Sequence, residues 1–359
     1  MFLPIRISIA AALLFAATDA CAEVRIVPQH SGVEVRLRGI SAVDGDVAWA
    51  SGREGTVLRT LDGGRHWQRV LVPKAGELDF RDIEAFDADT AVVLAIGPGE
   101  ASRVYRTEDG GRTWQLALQN HDPRAFFDCM AFDAQRGWML GDPVESHFQV
   151  YATDNGGRDW RLLPDGPGAV DGEAAFAASG TCVARVATTL VVGTGGTRSR
   201  VHFRGDDALE WKQVASRIKA GSESSGAFSM ATVGLSGDFI AVGGDFRAEG
   251  TPADAVRFVA ADALAPRHEI SDGQVVPEPL VDAGFDATPL PATPGYRSGV
   301  ACAATATTCI AVGPSGVDAW DGSNWRSIST TGYDAIDITG NIGWASGDDG
   351  RIARIEIDD

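Results

Sequence analysis

Three in-phase copies of one eight-residue pattern constrain this chain more than any other feature of its sequence. Thr60-Leu61-Asp62-Gly63-Gly64-Arg65-His66-Trp67 returns as Thr107-Glu108-Asp109-Gly110-Gly111-Arg112-Thr113-Trp114, and again, more loosely, as Thr153-Asp154-Asn155-Gly156-Gly157-Arg158-Asp159-Trp160. A Thr hydroxyl and an Asp or Asn side chain two residues on can accept hydrogen bonds from backbone N–H groups within one tight hairpin. The glycines supply positive φ. Trp67, Trp114 and Trp160 then open an outer strand and carry a ring large enough to wedge between neighbouring sheets. The copies recur about every 46 residues, the period of a four-stranded propeller blade.

Each box follows a strand pair that ends in glycine. Ala48-Trp49-Ala50-Ser51-Gly52, Gly137-Trp138-Met139-Leu140-Gly141 and Gly343-Trp344-Ala345-Ser346-Gly347 share a tryptophan, and endings at Gly193, Gly243 and Gly313 lack it. Ala208-Leu209-Glu210-Trp211 and Gly322-Ser323-Asn324-Trp325 keep the tryptophan of a box and lose most of its turn, so packing is expected to hold those hairpins. Inner strands are expected near Gly39, Arg81, Asp128, Ala177, Ser229, Gly299 and Ala335. The predicted fold is all-β, a seven-bladed β-propeller of four-stranded antiparallel blades. The last blade lacks its fourth strand, and Val24-Arg25-Ile26-Val27-Pro28 resembles one. The N-terminal strand is therefore predicted to complete the C-terminal blade and close the ring, which removes exposed sheet edges. Prolines crowd residues 265–295 (Pro266, Pro277, Pro279, Pro289, Pro291, Pro294). Each removes a ladder donor, which predicts a surface excursion between blades five and six.

Acidic residues outnumber basic ones 49 to 31, for a net charge of -18, which disfavours nucleic acid and anionic lipid as partners. Arg6, the apolar run from Ile7 to Ala17 and the small-x-small Ala20-Cys21-Ala22 read as an export signal over residues 1–22, cleaved near Ala22. The mature domain is then 23–359, periplasmic or secreted, with no later stretch apolar enough to span a bilayer. Such a compartment permits disulfides. Cys302 and Cys309 flank a short segment that suits two arms of one hairpin. Cys129 and Cys182 pair by elimination, four buried free thiols being the alternative.

With boxes in phase with strand endings, the chain from Val33 to Ile357 resembles the photosystem II stability/assembly-factor-like proteins, Asp-box (BNR) propellers of the wider sialidase-like superfamily. The resemblance implies a lumenal or periplasmic chaperone that holds a membrane protein during complex assembly. Members of that family are associated with a basic recognition patch, whereas this chain is acidic and its arginines are scattered at Arg38, Arg81, Arg124 and Arg297. A different envelope client is therefore expected.

The sialidase connection makes a glycan-binding protein or glycoside hydrolase the alternative. Such an enzyme needs an arginine triad, an acid and a Tyr–Glu pair at the channel mouth. The chain has four tyrosines. Tyr105 and Tyr151 precede Asp-boxes, and Tyr296 and Tyr333 open inner strands without a suggestively spaced Glu. Asp62 and Asp109 read as turn residues rather than catalytic acids. His66, His121, His147, His202 and His268 stand singly, so neither metal nor cofactor is expected. A site, if present, belongs where inner strands begin and second strands end. There the sequence places Arg38, Arg81, Asp82, Asp128, Asp142, Asp245, Arg297 and Asp334. The expected molecule is a monomeric, non-catalytic platform for a protein partner.

Overall fold

A computed structural model describes residues 23–234, 236–261, 268–271, 274–277, 284–303 and 308–358. The predicted leader, 1–22, lies outside them. Seven sheets of four core strands form the ring, with no α-helix among the described residues. The inner strands, in blade order, are Leu37–Ala42, Asp79–Ala85, Phe127–Asp133, Val183–Val186, Ser225–Val233, Gly299–Cys302 and Ala335–Thr339. Second strands such as Ala48–Gly52 and Cys309–Gly313 are buried on both faces, so they read as unbroken runs of small and apolar residues. A separate apolar cluster fills each junction between neighbouring blades. Trp49, Val70, Phe80 and Val93 form the one between blades one and two, and Leu37, Leu58, Trp344 and Ile352 the one between seven and one.

The ring closes as predicted. Glu23–Gln29 pairs antiparallel with Ile352–Asp358 through all of its residues, from Glu23 opposite Asp358 to Gln29 opposite Ile352. The boxes also fold as expected. The hydroxyl of Thr107 accepts the amide of Gly111 (2.9 Å), and Asp109 accepts the amide and hydroxyl of Thr113 (2.9 and 2.7 Å). The Thr60 and Thr153 copies repeat that pattern. Each second box glycine has positive φ and seats against the preceding blade, Gly64 on Trp344, Gly111 on Val70 and Gly157 on Val92. Trp67 meets Trp344 edge-on at 5.6 Å. Both disulfides form: Cys302 with Cys309 across one hairpin, and Cys129 with Cys182 between blades three and four.

Three expectations change. Blade four begins at Val183, not Ala177. The Pro-rich stretch does not sit between blades five and six, because Phe285–Pro289 is itself the fourth strand of blade five, paired with Ala255–Ala260. Pro289 is tolerated there because an outermost strand needs no donors on its free side. The insertion is a hairpin, His268–Ser271 with Gln274–Pro277, lying between the third and fourth strands. Finally, the hairpin before Trp325 does have a capping carboxylate: Asp321 accepts the amides of Ser323 (2.9 Å) and Asn324 (2.7 Å). Trp211 at the other decayed turn is anchored by its indole N–H on the carbonyl of Asp165, 2.7 Å away.

Candidate functional site

The channel mouth is built by a repeated defect in the inner strands. In blades one, two, three and five the pairing of the inner with the second strand slips by one residue near its start. The skipped residues are Arg38, Arg81, Asp128 and Phe228. A β-bulge frees its extra residue from the ladder and re-aims its side chain. All four line one cavity of about 500 Å³. Ser298 and Asp334, just ahead of the inner strands of blades six and seven, complete the circle.

The cavity has a floor that the sequence did not announce. The segment from Phe176 to Thr181 crosses the channel before blade four begins, tied to blades on several sides. Arg81 Nη1 donates to the carbonyl of Ala177 (2.7 Å) and Arg38 Nη2 to that of Ala178 (3.1 Å). Ser179 Oγ donates to the carbonyl of Ser298 (2.7 Å), and the amide of Met230 to that of Thr181 (3.0 Å). One wall is aromatic: Phe176 stacks on Phe228 at 4.0 Å, Tyr296 meets Phe228 edge-on at 4.9 Å, and Phe246 stands at the rim.

Charges in the cavity are unequally committed. Arg36 grips Asp334 through two hydrogen bonds, of 2.7 and 2.6 Å, and this raises its guanidinium's affinity for the proton. Arg81 Nε donates to Asp79 at 3.0 Å. Arg38 is buried, and desolvation followed by the charges of Arg81 and Arg36 pushes it down to about 10. Desolvation pushes Asp142 up to about 6, against the pull of its hydrogen bond from the Ala175 amide. It raises Asp128 well above the ordinary aspartate range, helped by the neighbouring Asp142 charge.

Of the residues expected at the mouth, the structure brings together Arg38, Arg81, Asp128, Asp142 and Asp334. The other three lie elsewhere. Asp82 faces the neighbouring blade and accepts the amide of Met130 (2.7 Å), one of several inner-strand latches with Ser41–Ala85, Ser229–Val300 and Asp337–Ala42. Asp245 caps the turn after its strand by accepting the amide of Arg247 (2.9 Å). Arg297 is buried inside blade six, donating through Nε to Asp318 (2.6 Å). Sequence reasoning missed Arg36, Phe176, Phe228, Phe246 and Tyr296. Alternation along Arg36-Leu37-Arg38 and Tyr296-Arg297-Ser298 was the available signal, because residues two apart share a face.

The mouth can hold an acceptor or anion against a buried guanidinium beside a flat apolar surface. It brings arginines and Tyr296 together, but burial pushes the Tyr296 phenol up, away from what a nucleophile needs. Among the described residues no cluster of His, Cys, Asp and Glu is arranged to hold a metal ion, and no helix is long and apolar enough to cross a membrane.

A family model described as "Photosynthesis system II assembly factor YCF48" matches residues 11–121. Among solved structures, "YCF48 from Cyanidioschyzon merolae" aligns with a TM-score of 0.60 at 18% identity, over 93% of this chain and 98% of that one. "YCF48 bound to D1 peptide" aligns with a TM-score of 0.58 at 14% identity, over 94% and 98%. At such identities the structural likeness establishes the fold alone. No curated protein sequence matches. Box motif and closed ring make the chain a seven-bladed Asp-box (BNR) β-propeller, similar in fold to both YCF48 structures and, over residues 11–121, to the YCF48 family model.

Proposed function

We propose that the protein is an exported, non-catalytic platform that takes a segment of an envelope protein or complex into its channel mouth. The observation that carries this reading is the convergence of four bulged residues, Arg38, Arg81, Asp128 and Phe228, on one cavity. Four blades each depart from regular pairing at the same point, and what they gain is a lined mouth. A propeller of similar fold, "YCF48 bound to D1 peptide", has been solved with a peptide bound. The aromatic wall suits a side chain of a partner, since rigid rings give contact area at little entropic cost.

Site-directed photocross-linking tests the proposal. A benzophenone amino acid replaces Phe246, which stands 39% exposed at the rim, and in a second strain replaces Leu209, 91% exposed on blade four. A discrete cross-linked protein from position 246 and none from 209 supports the mouth. The same products from both positions, or none from 246, refute it. Turnover of aryl glycosides or sialosides by the purified chain would favour the glycan alternative instead.

A further inference from the structure

The cavity holds a carboxyl oxygen that meets no donor. Asp128 is 2% exposed, lines the cavity, and has its Oδ2 unpartnered. Arg38 lines the same cavity at 9% exposure; its hydrogen bond is to the carbonyl of Ala178, and its Nε is unpartnered. A buried guanidinium nitrogen without an acceptor and a buried carboxyl oxygen without a donor are each costly. One incoming group resolves both. A carboxylate can accept from the guanidinium and, where Asp128 carries a proton, from its O–H as well, the two carboxyls sharing one proton as close carboxyl pairs do.

The surroundings favour that state. Asp128 faces Asp142 on the next strand and Arg81 on blade two, while Arg36, Arg38, Asp334, Glu223 and Glu249 line the rest of the cavity. Asp334 is held by Arg36, and Arg81 has Asp79. Arg38 is thus the cation left for a ligand. Desolvation and then the Asp142 charge keep the Asp128 carboxyl protonated to higher pH than usual, with the Ala177 amide, Arg81 and the Asp142 amide opposing. Beside this polar corner stands the wall of Phe176, Phe228 and Tyr296.

Building on the reading of the mouth as a protein-binding site, we propose that it recognises a carboxylate flanked by an aromatic or branched apolar group, with Arg38 and the carboxyl O–H of Asp128 both donating to that carboxylate. The complex then holds one proton between two carboxyl groups and weakens when that proton leaves.

The probe is 3-phenylpropionate, with 3-phenylpropionamide as its neutral counterpart, titrated calorimetrically from about pH 5 to about pH 9. The acid is expected to bind at least about tenfold tighter than the amide. Its affinity should fall by about tenfold per pH unit once Asp128 ionises. Asp128→Asn, which keeps a donor, flattens this profile, and Arg38→Gln erases the preference for the acid. The wild-type profile and acid-to-amide ratio carry the test if a variant does not fold. Acetyl-Gly-Gly-Phe with a free end and acetyl-Phe-Asp-Gly-amide separate a chain terminus from an internal acidic side chain, and binding of either supports the proposal. Equal affinity for acid and amide, or the same pH profile in wild type and Asp128→Asn, overturns it. If the probes fail while the cross-link from position 246 persists, only the carboxylate assignment falls. Loss of the cross-link as well removes the platform reading too.

Discussion

Gly111→Ala isolates what holds one blade on the next. Gly111 sits at φ +81°, and a Cβ there would lie 2.0 Å from Val70 Cγ1 of the preceding blade. The left-handed backbone costs about 1 kcal/mol with any L side chain, and relieving an overlap well inside van der Waals contact costs about 1–3 kcal/mol more. The sum is about 2–4 kcal/mol. Gly32 supplies the control, with φ +77° and nothing within 4 Å of its Cβ position. Gly32→Ala should therefore cost only the backbone share, about 1 kcal/mol. Urea unfolding followed by tryptophan fluorescence measures both. Adding Val70→Ala to Gly111→Ala should recover part of the loss, a coupling that independent sites do not show. Equal costs for the two glycine substitutions, or strict additivity with Val70→Ala, refute the wedge.

Deleting residues 23–36 removes the closing strand; Val24 and Ile26, half-buried against the last junction, alone account for about 2 kcal/mol, and an unchanged thermal midpoint would contradict closure. Arg297→Ala leaves Asp318 buried without its partner and should cost about 3–5 kcal/mol in denaturant unfolding while sparing the mouth, so loss of a cross-link in still-folded protein would count against this assignment. Asp62 and Asp109 are held down to about 2, first by hydrogen bonds from His66 and Thr113 respectively. Because their folded values are depressed, the stability they contribute is complete above the usual aspartate range near about 4 and drains as pH falls towards 2. The protection factor of the Thr113 amide in wild type, its exchange divided by the intrinsic rate at each pH, should fall over that interval, and an Asp109→Asn protein should show a flatter acid response.

What the sequence revealed was what the fold encodes locally. A box is one hairpin whose Thr, Asp and Gly bond to each other, so Thr107 to Trp114 can be read without knowing the neighbours. Ring closure was legible because Val24 to Pro28 carries an outer-strand pattern with no other place to pair. The mouth was legible only in part. Arg297 lies one residue from Tyr296, and a step of one along the extended segment leading into Gly299–Cys302 exchanges channel for blade interior. Arg81 and Asp82 show the converse, since the bulge between Phe80 and Asp82 lends Arg81 to the cavity and returns Asp82 to the blade. The channel floor was hidden because Ala177 and Ala178 act through their carbonyls, which leave no trace in residue type. Pro289 misled because a proline forbids a central strand and merely edges an outer one.

The bulges give this scaffold an unusual economy of change. A residue outside the ladder holds no sheet register, so Arg38, Arg81, Asp128 and Phe228 can each be exchanged with little consequence for pairing in its blade. Four blades each contribute one such replaceable letter to a common opening, while the box hairpins and wedged tryptophans that fix the ring lie elsewhere. Propellers of this build can therefore share every structural motif and differ mainly in a word of four letters written around the channel.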